Sequence, residues 1–406
     1  MKTRFDILIV GGGLIGKIAA IALSDIQGLS VVLVDKRDIL SPKALPQDGR
    51  ATALSTSSLN LLKNLHVDVS DIIEPMQDML ITEGDLGDEP AWRLHFDHKT
   101  SDKGAPHLIE NRALNERILS RLKISGVTIL SKTEVTDITH AIEGVSAKID
   151  GKPVEADLLV AADGGRSKLR MRAGINVDGR DYDQSALVTT IKHELPHDGL
   201  ALQRFLPGGP LAVLPLQKQR SQIVWSHKPS AIKAAMALSD VDFLSELSFC
   251  VGDYLGKLSL DAPRQSYPLH LQLAQTYVAS RFVLVGDAAH VIHPLAGQGL
   301  NLGLRDVAAL FDVVSDARKT GRDIGGAILG EYEAWRKSDV TALAGATDIL
   351  SYIYASPRGF MSRPLSKAFG HIRRVGLSVV NEAEFLKNLF ILEATGNTGK
   401  IPVLLK

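Results

Sequence analysis

Residues 5–35 carry the pattern that most restricts what this chain can fold into. A short apolar run, Phe5 to Val10, leads directly into Gly11-Gly12-Gly13-Leu14-Ile15-Gly16. An Ala-rich stretch from Ile15 to Ser24 then reads as a helix, and Ser30 to Asp35 as a second strand ending in an acid. In a G-x-G-x-x-G frame set by Gly11, Gly13 and Gly16, the first glycine permits a tight turn and the second lets a pyrophosphate approach the backbone. The third lets the helix pack closely on the strand. Asp35 stands about 20 residues on, where a carboxylate accepts both hydroxyls of an adenosine ribose. A lone glycine fingerprint says little, but strand, fingerprint, helix, strand and acid in this order define a dinucleotide-binding α/β unit. An acid rather than an arginine at this point favours an unphosphorylated ribose, as in FAD or NAD.

The remainder of the chain is large enough to bury a substantial core and to divide into two lobes: it has 406 residues. Its 46 basic and 46 acidic residues balance, which argues against a nucleic-acid partner, for which a basic face is needed. Cys250 is the single cysteine, so no intramolecular disulfide framework exists and a reducing compartment is expected. No apolar run is long enough to span a bilayer. Lys2 and Arg4 precede an apolar stretch, but Asp6, the glycine triplet and Lys17 interrupt it, so a signal peptide is not expected. The expected location is the cytoplasm.

Two further apolar strands deliver an aspartate followed or preceded by glycine. Asp157 to Ala162 runs into Asp163-Gly164-Gly165-Arg166, which taken alone is also a good turn. Phe282 to Val285 ends at Gly286-Asp287, and ligands in open α/β sheets collect at such carboxyl ends. After Pro294 a loop passes Gly297 and Gly299 into a helix whose stripe is Leu300, Leu304, Val307, Phe311 and Val314. The first amides of that helix form a seat for an electron-rich group. Strand, loop and packing helix is the alternative reading. Gly297, Gly299 and Gly303 imitate a second fingerprint with the wrong spacing. His290 and His293 invite a metal reading, but no further ligand set accompanies them, and none is expected.

Between these signatures lie a helix through Leu59, Leu62 and Leu65, a strand at Trp92 to Phe96, a helix at Asn111 to Leu122, and a meander with a hairpin turn at Asp150-Gly151. Arg50 lies in a Pro/Gly-bearing loop, where it faces either solvent or the ligand cleft. Ala186–Ile191, Leu200–Leu206, Leu211–Leu216 and Gln222–His227 read as an inserted antiparallel sheet, with a helix near Asp240 to Phe249. Beyond Gly330 the chain reads as helical. There Leu365, Phe369, Ile372 and Val375 form a stripe flanked by Arg363, Lys367, His371, Arg373 and Arg374.

Taken together, GGGLIG, DLLVAADGGRSKLR and VGDAAHVIHPLAGQGLNLGLRD resemble the three fingerprints of the FAD-dependent aromatic hydroxylases, the single-component flavoprotein monooxygenases. DGRATALS, GPLAVLPL, VWS and HIRRVGL are similar to segments of the ubiquinone-biosynthesis hydroxylases within that group. Asp35 departs from the glutamate of many relatives, shortening the reach to the ribose. The resemblance implies an α/β fold: a Rossmann-like FAD-binding lobe of the p-hydroxybenzoate-hydroxylase kind, an inserted antiparallel-sheet substrate domain and C-terminal helices. The expected division is 1–75, 98–180 and 268–345 for FAD, 76–97 and 181–267 for substrate, and 346–406 for the helical segment.

The resemblance also implies roles. Gly11, Gly13 and Gly16 would seat the pyrophosphate of non-covalent FAD, and Asp35 would take its ribose. Asp163 would touch both FAD and NAD(P)H, the co-substrate. Gly286-Asp287 would meet the ribityl chain, and Gly299, Leu300 and Asn301 would offer backbone donors to the flavin pyrimidine. Arg50 would lie near the flavin and Pro294 at its oxygen-reactive face. The implied reaction is reduction of FAD by NAD(P)H, addition of O2 at flavin carbon 4a, and oxygen transfer from that hydroperoxide to the ring of a polyprenylated phenol. The implied partners are that phenol, O2, other quinone-biosynthesis enzymes and the surface of the inner membrane. A soluble aromatic-acid hydroxylase of the same fold, which needs a cationic pocket, and a non-catalytic FAD-fold scaffold remain open. Trp92, Trp225 and Trp335 cannot form the W-x-W-x-I-P motif of a flavin halogenase.

Overall fold

The computed structural model describes residues 3–41, 49–83, 92–97, 105–206, 208–292, 298–354 and 401–406. The chain begins β1 (Arg4–Val10), α1 (Leu14–Ser24), β2 (Val31–Asp35), β3 (Ala51–Leu54), α2 (Thr56–Asn64) and β4 (Ile73–Pro75). After β5 (Asp78–Glu83) and β6 (Trp92–Asp97) come β7 (His107–Glu110), α3 (Asn111–Leu122), β8 (Thr128–Ser131), β9 (Val135–His140), β10 (Val145–Ile149), β11 (Lys152–Ala161) and α4 (Lys168–Arg172). A second group follows: β12 (Val177–His193), β13 (Leu200–Leu206), β14 (Gly209–Leu216), β15 (Arg220–His227), α5 (Pro229–Ala237), α6 (Asp240–Val251), β16 (Leu258–Leu260) and β17 (Gln265–Ala274). The chain returns through β18 (Val278–Ala279), β19 (Phe282–Leu284) and β20 (His290–Val291) to α7 (Gln298–Thr320) and α8 (Ile328–Tyr354).

The first lobe is built on a sheet ordered β18-β19-β11-β1-β2-β8, in which β19, β11, β1, β2 and β8 run parallel. Helices cover a parallel sheet on both faces, so its central strands are apolar without alternation. Ile7, Leu8 and Ile9, Val32 to Val34 and Leu158 to Ala161 are all buried. Every residue of α1 from Ile18 to Leu23 is fully buried as well, because α3 and α7 pack against it. At the hairpin between β10 and β11, Asp150 and Gly151 both take positive φ, 48° and 77°, which a tight two-residue turn requires.

The second sheet is ordered β20-β17-β12-β15-β14-β13-β5-β6. It is antiparallel except between β13 and β5, which come from distant parts of the chain and meet without a hairpin to set their direction. Its two faces differ. One presents Leu187, Ile191, Leu211, Val213, Ile223 and Trp225 to the buried sides of α5 and α6. The other presents Thr190 and Gln222 to the first lobe, where both donate to the carbonyl of Gly49 at 3.3 and 3.0 Å. A small sheet ordered β3-β7-β4 lies between the lobes. Arg220 clamps that junction: its guanidinium binds both oxygens of Glu110 at 2.8 and 2.9 Å and Asp261 at 2.6 Å.

Residues 401–406 return to the first lobe. Leu404 and Leu405 are buried in its core, and Asn60 and Asn64 of α2 donate to the carbonyls of Leu405 and Leu404. The apolar and basic stripe around Leu365 to Arg374 lies outside the described residues, as do His293, Pro294 and Gly297.

Candidate active site

At the first turn the three glycines divide their work. A Cβ on Gly11, whose φ is +114°, would lie 2.2 Å from the carbonyl oxygen of Ala162 at the end of β11. A Cβ on Gly16 would lie 1.8 Å from the carbonyl oxygen of Gly11. Both are packing glycines. Gly13 caps α1 without a side-chain hydrogen bond, and no atom stands within 4 Å of where its Cβ would be. The free amides of the first helical turn therefore face open space, the shape and polarity of an anion seat.

Asp35 ends β2 beside that seat. Its carboxylate accepts from the amide of Gly12 at 2.6 Å, from the amide of Arg37 at 2.7 Å and from the Arg37 guanidinium at 3.0 and 3.2 Å. Burial opposes its ionisation, but the Arg37 side chain and backbone and the Gly12 amide outweigh it and hold the carboxyl below the ordinary Asp range. Ribose hydroxyls would compete with the guanidinium of Arg37, which is two-thirds exposed and so is the donor that can move aside.

The second and third signatures meet through Arg170. This buried guanidinium donates to the carbonyl of Ala288 at 2.8 Å and to that of Gly165 at 3.0 Å, and Gln272 of β17 reaches the same Gly165 carbonyl at 2.8 Å. Asp163 accepts from the amide of Leu169 through Oδ2 at 3.3 Å, while Oδ1 is buried with no partner in the protein. A buried acceptor without a donor is costly, and a ligand hydroxyl or amide would satisfy it.

Gly286, with φ +60°, opens a turn at the end of β19 that displays Asp287. Asp287 is an exposed residue, yet the protein atoms around its carboxyl desolvate it. That desolvation raises its pKa above the ordinary Asp value. Nearby His290, Arg50 and His270 oppose the rise and Asp306 adds to it. Arg50 is exposed, with its guanidinium 5.3 Å from the centre of the Tyr267 ring on β17. Tyr267 pairs with Ala186 of β12, so it shares a face with Ala186, Val188, Val224 and Leu269, an apolar wall on the second sheet.

At the start of α7, Gly299 is open and Leu300 half-buried. Asn301 has a buried side chain fully engaged elsewhere. It donates to the carbonyl of Ala53 at 2.8 Å and accepts from the Ser55 amide at 3.1 Å and the Ser58 hydroxyl at 2.7 Å. It bolts α7 to β3, which follows Arg50, and to α2. Gly303 is a packing glycine, since a Cβ there would meet Ile15 at 2.6 Å.

Beneath the Asp287 turn lies a buried ionic network that sequence reasoning missed. Asp306 of α7 accepts from the Gly286 amide at 2.8 Å, from His290 Nε2 at 2.7 Å and from Arg336 Nε at 2.7 Å. Arg336 and Arg305 both reach Asp339, at 2.6 and 2.9 Å. Burial would raise the Asp306 carboxyl, but His290 and Arg336 hold it low. The available signal was an acid beside Leu304 and Val307 on the buried face of an amphipathic helix.

Comparison with known proteins follows the same lines. A FAD binding domain family model matches residues 4–347. The ubiquinone hydroxylase UbiL of Rhodospirillum rubrum is 38% identical over 398 residues, covering 96% of this chain and 89% of the relative. The 3-demethoxyubiquinol 3-hydroxylase of Escherichia coli is 30% identical over 399 residues, covering 96% and 98%. The crystal structure of p-nitrophenol 4-monooxygenase from Pseudomonas putida matches with a TM-score of 0.75 at 21% identity, covering 98% of this chain and all of the other. The last likeness is one of fold.

Proposed function

Because the chain belongs to the FAD-dependent ubiquinone-biosynthesis hydroxylases, we propose that it hydroxylates the ring of a polyprenylated phenol, using NAD(P)H and O2. FAD fits the residues present: an open seat at Gly13, an unpartnered oxygen on Asp163 and an accessible carboxyl at Asp287. Bound there, FAD supplies electron acceptance from NAD(P)H and the activation of O2. The rest falls to the chain itself. Gly13 and the first turn of α1 hold the pyrophosphate, and Asp35 the ribose. Asp163 and Asp287 accept from cofactor hydroxyls, and the amides of Gly299, Leu300 and Asn301 stabilise negative charge at the pyrimidine.

The observation that carries the substrate reading is the apolar wall of Ala186, Val188, Val224, Leu269 and Tyr267, with Arg50 over the Tyr267 ring. An apolar face excludes water and orients an aromatic ring. Arg50 stands beside Tyr267 and acts on Asp287, where its charge favours negative charge developing nearby.

Turnover with 18O2 tests the reading. A short-chain prenylated phenol should stimulate NAD(P)H oxidation and gain one labelled oxygen. A preference for hydroxybenzoates would replace the substrate class, and no stimulation by any phenol would leave a scaffold.

A further inference from the structure

Lys17 lies one residue beyond the last fingerprint glycine and is only 2% exposed. A buried ammonium ordinarily has an acidic partner. Lys17 makes no ion pair among the described residues. Its Nζ donates to Oδ1 of Asn115 on α3 at 2.6 Å, and Asn115 is itself 2% exposed. Side chains on an α-helix lean toward its N-terminus, and Lys17 stands in the first turn of α1, four residues after its cap Gly13.

The charges around it come from three sides. At the end of β2, Arg37 repels the ammonium and Asp35 attracts it. On α3, Arg112 is paired with Glu116, Arg117 with Asp71, and Arg121 with Asp25 beyond the end of α1. From α7, Arg305 and Asp306 are turned to Asp339, His290 and Arg336. Burial first, and Arg37 second, lower the amine's pKa to about 8, against the opposing pull of Asp35.

We propose that Lys17 couples FAD capture to proton uptake: its buried amine, held by Asn115 and not by an acid, gains a proton from solvent as the anionic pyrophosphate settles at the start of α1. The inference rests on the reading of Gly13 as the pyrophosphate seat. The bound state holds the proton more tightly than the free state. Affinity is therefore greatest below the free amine's pKa and falls as pH rises through it, by up to about tenfold per pH unit.

Calorimetric titration of FAD into the FAD-free full-length protein, in buffers of different ionisation enthalpy, reads the uptake directly. Almost none is expected at pH 7 and close to one proton per FAD at pH 9, with the Kd rising about tenfold between them. Lys17→Met removes the titrating group and should abolish both effects. Asn115→Asp gives the amine an acidic partner and keeps it charged, so it should flatten the pH dependence by the opposite route. That variant keeps the test decisive where Lys17→Met fails to fold. FAD binding without uptake at pH 9 in the wild type, or undiminished uptake in either variant, overturns the proposal. Failure to bind FAD at any pH overturns the cofactor reading beneath it.

Discussion

The Asp287 carboxyl is held where its charge is disfavoured, since enclosure raises its pKa above the usual Asp value. A raised folded-state pKa means that the stability this group contributes is complete below the unfolded pKa, about 3.9, and is lost as pH rises through the folded value. At neutral pH its ionisation works against the FAD-free fold. Asp287→Asn should therefore raise the Tm of the FAD-free protein at pH 7 and change it little at pH 4. The same substitution should weaken FAD binding by about 1.5–3 kcal/mol, the worth of a charge-assisted hydrogen bond. A Tm at pH 7 no higher than wild type, or an unchanged FAD Kd, would count against this reading of Asp287. Legibility at this scale follows backbone geometry. Gly11 and Gly16 were readable because close backbone approach admits no side chain, and Asp287 because strand ends present residues to ligands. Asn301 was readable only as part of a motif, since its partners Ala53, Ser55 and Ser58 are remote in sequence. Arg50 had two readings until β17 placed Tyr267 against it.

Among the elements, the parallel strands and α1, α3 and α7 announced themselves through apolar runs and helical spacing. The misses have local causes. β17 alternates Tyr267, Leu269, Leu271 and Leu273, yet Pro268 argues against a strand with neighbours on both sides. It pairs with Ser185 of β12 nonetheless. The start of β12, Val177 to Asp181, is exposed, so no burial pattern marked it. α5 is short, and its proline at the first turn reads as a loop as easily as a helix start. Nothing local marked the clamp between elements at Arg220 either. Its fork on Glu110 ties β15 to the start of α3 at 2.8 and 2.9 Å. Because the groups are half-buried and the geometry bidentate, a double-mutant cycle of Arg220→Ala and Glu110→Ala should return a coupling of about 1 kcal/mol or more. Additive losses would reduce the clamp to a surface contact.

For the whole molecule, the chain leaves the first lobe at β5 and again at β12, and returns each time. The cleft is therefore lined by segments far apart in sequence: the Arg50 loop, β11, β17 and the Asp287 turn. A polyprenylated phenol that must reach this cleft is nearly insoluble in water, so it has to come from a bilayer or from another protein. No helix among the described residues is long and apolar enough to cross a membrane. The sequence places Leu365, Phe369, Ile372 and Val375 at helical spacing beside Arg363, Lys367, Arg373 and Arg374, the composition of an interfacial segment. Each basic residue near an anionic surface contributes about 1 kcal/mol. Reversing two of them in Arg373→Glu/Arg374→Glu should therefore cut binding to anionic liposomes at least about tenfold at low salt, and high salt should erase the difference. Flotation of the two full-length chains reads this out, with FAD content as the check that the variant has folded. Equal flotation at low salt would transfer substrate delivery from this basic cluster to a partner enzyme of the pathway.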